Sequence, residues 1–422
     1  MRLTKFLLPV TLVLIQNANI RADEFALRDG DTVVFLGDSI TAARTYGKII
    51  ENYTLLRYPD RKIRFINAGV GGDTAAGGLK RLERDVLAHK PAVVIVAYGI
   101  NDIGWGTKAD DKHKKMYLDG IRGIVGACKK RDVRVYICSA ATTADDPAKS
   151  EDGYLQKMCD EGMELSRSLG GNAIDVQRTM RGIQKRIWAA NAKVSDKSKH
   201  DTLHAPDGVH LNDVGQLAMA FAILKGLGAP ADVSSVVIDA DDATLTAAKG
   251  CTVKGLVSKD GTVEFTRLDE GLPFNYGQFY PLNYRYVPVP DELNRYMLTI
   301  KNLPKGKYEL TADGRSLGVY TAEHFGAGMN IAFATADPWH PGGPWDAQAC
   351  VLKSLTDARH HAVAANAQCR EEIPGSPACE LLGKQAAEFD DKIIEMQRTV
   401  AKPQTYRFVI KRHEPPAKKG GK

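Results

Sequence analysis

The alternation of apolar runs with helical stretches over residues 32–230 constrains the fold more than any other feature of the sequence. Residues 32–36 form a short apolar run, and residues 92–97 (AVVIVA) are continuously apolar, which is typical of a strand buried on both faces. Helical patterns at 75–89 and 112–130 separate such runs. This order predicts a parallel sheet with helices on both faces and a site at the carboxyl ends of the strands.

The pattern changes after residue 230, where short alternating runs are separated by turn signals such as KDG and ADG. The predicted C-terminal elements are a β-rich stretch at 231–320, helices at 345–366 and 378–399, and a strand at 404–411. The sequence therefore predicts an α/β domain at 23–230, followed by a smaller β-rich, sandwich-like module with a helical hairpin at 231–422.

The first 22 residues have the pattern of an export signal. Arg2 and Lys5 precede an apolar stretch at 6–15, and small residues follow up to Ala22. An apolar stretch of this length is too short for a bilayer, which needs about 20 residues. We therefore expect residues 1–22 to be a signal peptide, and the mature protein to be secreted or periplasmic without a stable membrane anchor.

Charge and cysteine content exclude some partners and cofactors. The chain has 57 basic and 51 acidic residues, spread along its length, which does not favour nucleic acid as a partner. Seven cysteines are an odd number, so at least one is not paired within the chain. Cys369 and Cys379 flank a turn rich in Pro and Gly and could form a disulfide in an oxidising compartment. The absence of a CxxC pair argues against structural zinc.

Two short motifs follow the first two predicted strands. The first is Gly-Asp-Ser ending at Ser39, where a serine at the sheet edge can act as a nucleophile and its N–H can face an oxyanion. The second is NAGVGGDT at 67–74, in which the Gly72 N–H is a second candidate donor. A dinucleotide-binding fingerprint is an alternative for this turn, but Thr74 stands where that pattern needs a third glycine.

Two further motifs carry polar side chains. Asn101 follows the run at 92–97 and can offer its side-chain amide as a third donor, although Asn-Asp is also a common turn pair. Asp207 precedes His210 by three residues, so it can bind one imidazole nitrogen and leave the other as a general base. A metal site at His200, His204 and His210 is the alternative, but their spacing fits no zinc motif, and we expect no metal.

Together and in this order, the four motifs resemble those of the SGNH (GDSL) hydrolase family over residues 31–226. The string NAGVGGDTAAGGLKRLERDV resembles the second block of that family's bacterial esterases. The resemblance implies a flavodoxin-like three-layer α/β/α sandwich and ester hydrolysis through an acyl-enzyme, with no metal or organic cofactor. It also implies Ser39 as nucleophile, His210 as base and then acid, and Asp207 as its orienting partner. The implied oxyanion hole consists of the Ser39 N–H, the Gly72 N–H and the Asn101 side chain.

The favoured function is a serine esterase that deacetylates carbohydrate, with a small-molecule or carbohydrate ester as substrate. A lysophospholipase or small-ester esterase is the competing enzyme, and a non-catalytic glycan-binding protein is the alternative from another class. The C-terminal module adds an aromatic cluster that can be a sugar-stacking surface, a wall of the acyl pocket, or simply core. Its members are Phe274, Tyr276, Phe279, Tyr280, Tyr284 and Tyr286.

Overall fold

The computed structural model describes residues 25–277 and 279–414, and the predicted signal peptide at 1–22 lies outside them. The first part of the chain builds one five-stranded parallel sheet with the strand order β2-β1-β3-β4-β5. Its strands are β1 (Thr32–Gly37), β2 (Arg64–Gly69), β3 (Val93–Ala97), β4 (Arg134–Cys138) and β5 (Asn172–Ile174). This is the flavodoxin-like order, whose switch point lies between β1 and β3.

Seven helices belong to this part of the chain: α1 (Ser39–Ala42), α2 (Thr45–Arg57), α3 (Ala75–Asp85), α4 (Asp111–Lys129), α5 (Tyr154–Ser168), α6 (Val176–Asn191) and α7 (Asp213–Gly226). Successive residues of β1 point to opposite faces of the sheet. Val33 and Phe35 pack in the core with α2, α6 and α7, whereas Val34 and Leu36 pack in the core with α3, α4 and α5. The predicted three-layer α/β/α sandwich is therefore confirmed.

The rest of the chain forms two further sheets, with strand orders β13-β10-β6-β7 and β12-β11-β14-β9-β8. Their strands are β6 (Asp232–Asp239), β7 (Thr244–Lys249), β8 (Cys251–Lys259), β9 (Thr262–Asp269), β10 (Arg295–Lys301), β11 (Lys307–Ala312), β12 (Arg315–Thr321), β13 (Met329–Asn330) and β14 (Thr405–Arg412). The β6–β10 pair is parallel and the other pairs are antiparallel. The β-rich character expected after residue 230 is confirmed.

Four helices accompany these sheets: the short α8 (Val289–Glu292) and α9 (Ala322–Ala327), and the long hairpin of α10 (Pro344–Glu372) and α11 (Pro377–Ala401). The hairpin packs against α2 of the parallel-sheet layer. No helix in the described part of the chain is long and apolar enough to cross a membrane.

A buried polar network joins the hairpin to α2. Glu51 of α2 accepts hydrogen bonds from Arg359 Nη1 at 2.8 Å, from His360 Nε2 at 2.9 Å and from Gln397 Nε2 at 2.9 Å. Burial alone would raise the pKa of Glu51, but Arg359 and His360 lower it to about 2. The apolar core around α2 is continuous with that of the C-terminal sheets. The division into domains at residue 230 therefore stays a prediction.

The thiols and most of the aromatic cluster are internal. All seven cysteines are free thiols, so the disulfide considered for Cys369 and Cys379 is not formed, although both are buried where the two hairpin helices meet. Within the aromatic cluster, four of the six rings are buried, and they are Phe274, Tyr276, Tyr284 and Tyr286. These rings are core, whereas the exposed member of the cluster is Phe279.

Candidate active site

Ser39 is the first residue of α1, directly after β1. Asp38 caps this helix by accepting a hydrogen bond from the Ile40 N–H at 3.0 Å. A Cβ at Gly37 would lie 2.1 Å from Thr41 Oγ1 and 2.7 Å from the Ala97 carbonyl oxygen, so only glycine fits there. The Gly-Asp-Ser motif therefore makes a tight strand-to-helix turn that places Ser39 at the carboxyl edge of the sheet.

Ser39, His210 and Asp207 form one chain of hydrogen bonds, although 171 positions separate Ser39 from His210. Ser39 Oγ lies 2.9 Å from His210 Nε2, and His210 Nδ1 lies 2.6 Å from Asp207 Oδ2. Asp207 Oδ1 also accepts the N–H groups of Val209 and His210, each at 2.9 Å. The Val209 N–H and the His210 side chain lower the pKa of Asp207 to about 2, so this carboxylate stays ionised. It holds the proton on Nδ1, and Nε2 is left to accept the Ser39 proton.

The loops after β2 and β3 bring the other predicted residues to the same sheet edge. Gly72 has a φ of +71°, a conformation that glycine adopts without strain. Asn101 Nδ2 donates to the Asp73 carbonyl oxygen at 3.1 Å, so the amide is tied to the residue that follows Gly72. Among the described residues, neither the Ser39 N–H nor the Gly72 N–H has a hydrogen-bond acceptor. Unpartnered N–H groups of this kind are suited to a developing oxyanion.

Arg81 of α3 ties the ends of the central strands together, a role that the sequence did not indicate. Its guanidinium donates to the carbonyl oxygens of Gly37 at 3.2 Å and Ala68 at 2.7 Å. It also donates to Asp73 Oδ2 at 2.7 Å and to the Tyr98 hydroxyl at 2.9 Å, and this hydroxyl donates to the same carboxylate at 2.8 Å. The glycine-rich turn is therefore held to β1, β2 and β3 by charge-assisted hydrogen bonds.

Trp105 is a second site residue that the sequence did not indicate. Its indole N–H donates to Asn101 Oδ1 at 2.9 Å, and its ring meets the His210 ring edge-on, with centroids 5.5 Å apart. Its φ is +57°, which is unfavourable for a bulky residue and must be held by these contacts. Trp105 also borders a cavity of about 280 Å³ that Ile103 and Leu155 help to line. Trp105 therefore belongs both to the lining of this cavity and to the ring contact with His210.

Two buried carboxyl groups stand beside the site. Burial raises the pKa of Asp38 to about 6 and that of Asp102 to about 7. Asp102 Oδ1 accepts the Ala75 N–H at 3.0 Å, whereas its Oδ2 has no partner among the described residues. Asp102 therefore connects the end of β3 to the start of α3, at the cost of a buried carboxyl oxygen without a hydrogen bond.

The three histidines considered for a metal site bind different partners. His200 Nε2 contacts the Val194 carbonyl oxygen at 2.9 Å, and His204 Nε2 contacts the Thr142 carbonyl oxygen at 2.8 Å. His210 contacts Ser39 and Asp207. Within residues 25–277 and 279–414, no group of three or more His, Cys, Asp or Glu side chains could hold a metal ion.

Comparisons with known proteins match the first half of the chain to ester hydrolases. The model of the GDSL-like lipase/acylhydrolase family matches residues 35–218. An acetylxylan esterase of Geobacillus stearothermophilus is 27% identical over 225 residues, which cover 47% of this chain and 94% of that protein. The esterase TesA of Pseudomonas aeruginosa is 37% identical over 75 residues, which cover 17% of this chain and 37% of that protein.

A solved structure extends the likeness beyond the α/β layer. The structure of a gut microbial diltiazem-metabolizing enzyme aligns with 92% of this chain and 98% of its own length, with a TM-score of 0.79 and 21% identity. At this identity the match shows the fold alone, including the C-terminal sheets. Residues 35–218 match the model of the GDSL-like lipase/acylhydrolase family, and the protein is a carboxylic ester hydrolase.

Proposed function

We propose that this protein is an exported serine esterase that removes acetyl groups from carbohydrate, with Ser39 as its nucleophile. The assignment of Ser39 as nucleophile is supported by the hydrogen-bonded chain from Ser39 Oγ through His210 to Asp207. The family of residues 35–218 supports the reaction class, and the acetylxylan esterase relative supports the substrate class. The apolar stretch and charged residues at 1–22 support export.

In the first half of the reaction, Ser39 Oγ attacks the ester carbonyl carbon while its proton passes to His210 Nε2. The carbonyl oxygen becomes an oxyanion, and the N–H groups of Ser39 and Gly72 and the Asn101 amide stabilise it. Collapse of this intermediate breaks the bond to the alcohol oxygen, which takes the proton from His210 Nε2 and leaves. Ser39 is then acylated.

In the second half, water attacks the acyl carbon and gives its proton to His210 Nε2. Collapse of the second intermediate releases the carboxylic acid, and the proton returns from His210 to Ser39 Oγ. Asp207 remains ionised throughout, because its pKa of about 2 is far below neutral pH. It stabilises the imidazolium that forms in both halves.

Acetate release from an acetylated xylo-oligosaccharide tests this proposal, with palmitoyl lysophospholipid as the competing substrate. We expect acetate release by the wild-type protein, none by Ser39→Ala, and unchanged rates after exhaustive chelation. Ser39 is at the sheet edge rather than in the core, so circular dichroism should not change. Hydrolysis of the lysophospholipid alone would contradict the carbohydrate substrate. Binding of the oligosaccharide without hydrolysis would instead support a glycan-binding protein.

A further inference from the structure

A small cavity in the C-terminal module combines exposed rings with buried polar groups. The cavity has a volume of about 150 Å³, and Phe279, Leu282 and His340 are among the residues that line it. Beside it, the rings of Phe279 and Trp339 meet edge-on with centroids 5.7 Å apart. Phe279 is 51% exposed, Leu282 70% and Trp339 71%, so three large apolar side chains stand in solvent at one place. Exposed apolar side chains that stand together often mark a binding surface.

Two buried polar side chains, Asn275 and Asp346, line the same cavity. Each is 3% exposed, and Asn275 Nδ2 donates to Asp346 Oδ1 at 3.1 Å. Asn275 Oδ1 has no hydrogen-bond partner among the described residues. Burial raises the pKa of Asp346 to about 7, so near neutral pH its carboxyl group can donate as well as accept a hydrogen bond. A buried carbonyl oxygen without a partner costs free energy that a ligand hydroxyl would recover.

The chemistry of this cavity selects among ligand classes. An acyl chain would cover the rings but leave Asn275 Oδ1 without a partner. A sugar satisfies both features, because its C–H face can stack on an aromatic ring while its hydroxyl groups donate and accept hydrogen bonds. We propose that Phe279, Trp339, Asn275 and Asp346 form a subsite for a sugar residue of the substrate other than the one that carries the reacting ester. This inference rests on the proposed function for the class of substrate.

One contact links the segment that carries Phe279 to the region of the chain that follows His210. Tyr280, which follows Phe279, donates its hydroxyl to the carbonyl oxygen of Asp213 at 3.3 Å. Asp213 begins α7 and is three residues after His210, a separation that the chain spans in at most about 11 Å. The segment that carries Phe279 therefore touches the start of α7, the helix that follows the loop with His210.

The binding test uses the full chain with Ser39→Ala, so that no ester is turned over, and unesterified xylohexaose as the probe. Isothermal titration calorimetry compares this protein with the same protein carrying Phe279→Ala and Trp339→Ala. We expect xylohexaose to bind, and the two substitutions to weaken binding by about tenfold or more, because two stacking contacts are lost. Ser39→Ala with Trp188→Ala is the matched control, since Trp188 is 45% exposed on α6.

A kinetic test separates this inference from the proposed function. In the wild-type background, Phe279→Ala with Trp339→Ala should raise KM for acetylated xylo-oligosaccharide by about tenfold and leave hydrolysis of p-nitrophenyl acetate unchanged. If the double variant has a lower melting temperature than the wild type, the single variant Trp339→Ala replaces it in this test. The subsite would be ruled out if xylohexaose did not bind. It would also be ruled out if the substitutions changed neither the affinity for xylohexaose nor the KM for the acetylated oligosaccharide. Failure of the wild-type protein to release acetate from the oligosaccharide would instead count against the proposed function.

Discussion

Asn101 is held at both ends of its amide, and this explains how a loop residue can act as a fixed donor. Its Oδ1 accepts the Trp105 indole N–H, and one N–H of its Nδ2 donates to the Asp73 carbonyl oxygen. The second N–H of the same group is left for an oxyanion. A donor that needs no reorientation during the reaction stabilises the transition state more than one that must be ordered first.

Replacement of Asn101 by Ala should lower kcat by about 10²–10³ and leave KM nearly unchanged, which is the usual loss for one preorganised donor. Steady-state kinetics on p-nitrophenyl acetate measure both constants, and the melting temperature shows whether the loop stays folded. A raised KM with an unchanged kcat would mean that Asn101 binds the ground state instead.

Replacement of Trp105 by Phe should keep the ring beside His210 but remove the hydrogen bond to Asn101 Oδ1. A lost hydrogen bond of this type corresponds to a fall in kcat of about two- to tenfold. Trp188→Phe on α6 is the control that should leave kcat unchanged. Equal rates for wild type and Trp105→Phe would show that the indole N–H does not position the amide.

The sequence motifs predicted the side chains of the proposed catalytic site but not the residues that hold them. Ser39, Asp207 and His210 stand at spacings that specify their chemistry, and the structure places them in contact. Arg81 lies in a helix, where a charged side chain usually indicates a solvated face. Apart from Asp85, however, its hydrogen-bond partners lie outside this helix, at Gly37, Ala68, Asp73 and Tyr98. The position of the Trp105 side chain depends on a positive φ, which the spacing of residues in a sequence does not reveal.

At the scale of elements, the start of α3 depends on a carboxyl group from the loop after β3. The first N–H groups of a helix have no intrahelical partner, and Asp102 Oδ1 accepts that of Ala75. Burial raises the pKa of Asp102 to about 7, so the folded protein binds this proton more tightly than the unfolded chain does. Stability from this group is therefore fully present below about pH 4 and is lost as the pH rises through about 7.

Replacement of Asp102 by Asn should remove this pH dependence, because an amide is neutral at every pH. Between pH 5 and pH 8, the free energy of unfolding of the wild type should fall relative to that of Asp102→Asn by on the order of 2 kcal/mol. Urea unfolding of both proteins at the two pH values measures the difference. Parallel pH profiles for the two proteins would contradict a raised pKa.

Several elements with a buried face were predicted, and two strands without one were not. The β1 and β3 runs were predicted within one residue of their bounds, and the two hairpin helices within six. Every residue of β7 is exposed, and β8 has no buried residue. Because neither strand alternates between buried and exposed positions, neither has the apolar period that indicates a strand.

At the scale of the whole molecule, α2 joins the parallel-sheet layer to the hairpin. Eleven of its thirteen residues are buried, because the sheet covers one side and the C-terminal elements cover the other. Glu51 lies in the middle of this helix and binds Arg359, His360 and Gln397. These partners are about 300 residues away in the sequence, so their pairing could not be predicted from local patterns.

Replacement of Glu51 by Gln should lower the free energy of unfolding by about 3 kcal/mol, because the buried Arg359 and His360 lose the charge that they contact. The matched control is Glu264→Gln, whose exposed pair with Arg407 is expected to contribute little to the free energy of unfolding. Urea denaturation of both variants gives the comparison. Equal small losses for the two would show that the buried network does not hold the hairpin.

The central claim is that Ser39, activated by His210, is the nucleophile of this esterase. Labelling with a serine-reactive fluorophosphonate, followed by mass mapping of the peptides, tests it most directly. We expect one adduct, on Ser39, which is absent in Ser39→Ala and forms far more slowly in His210→Ala. An active enzyme whose label lies on another serine, or that takes no label, would contradict it.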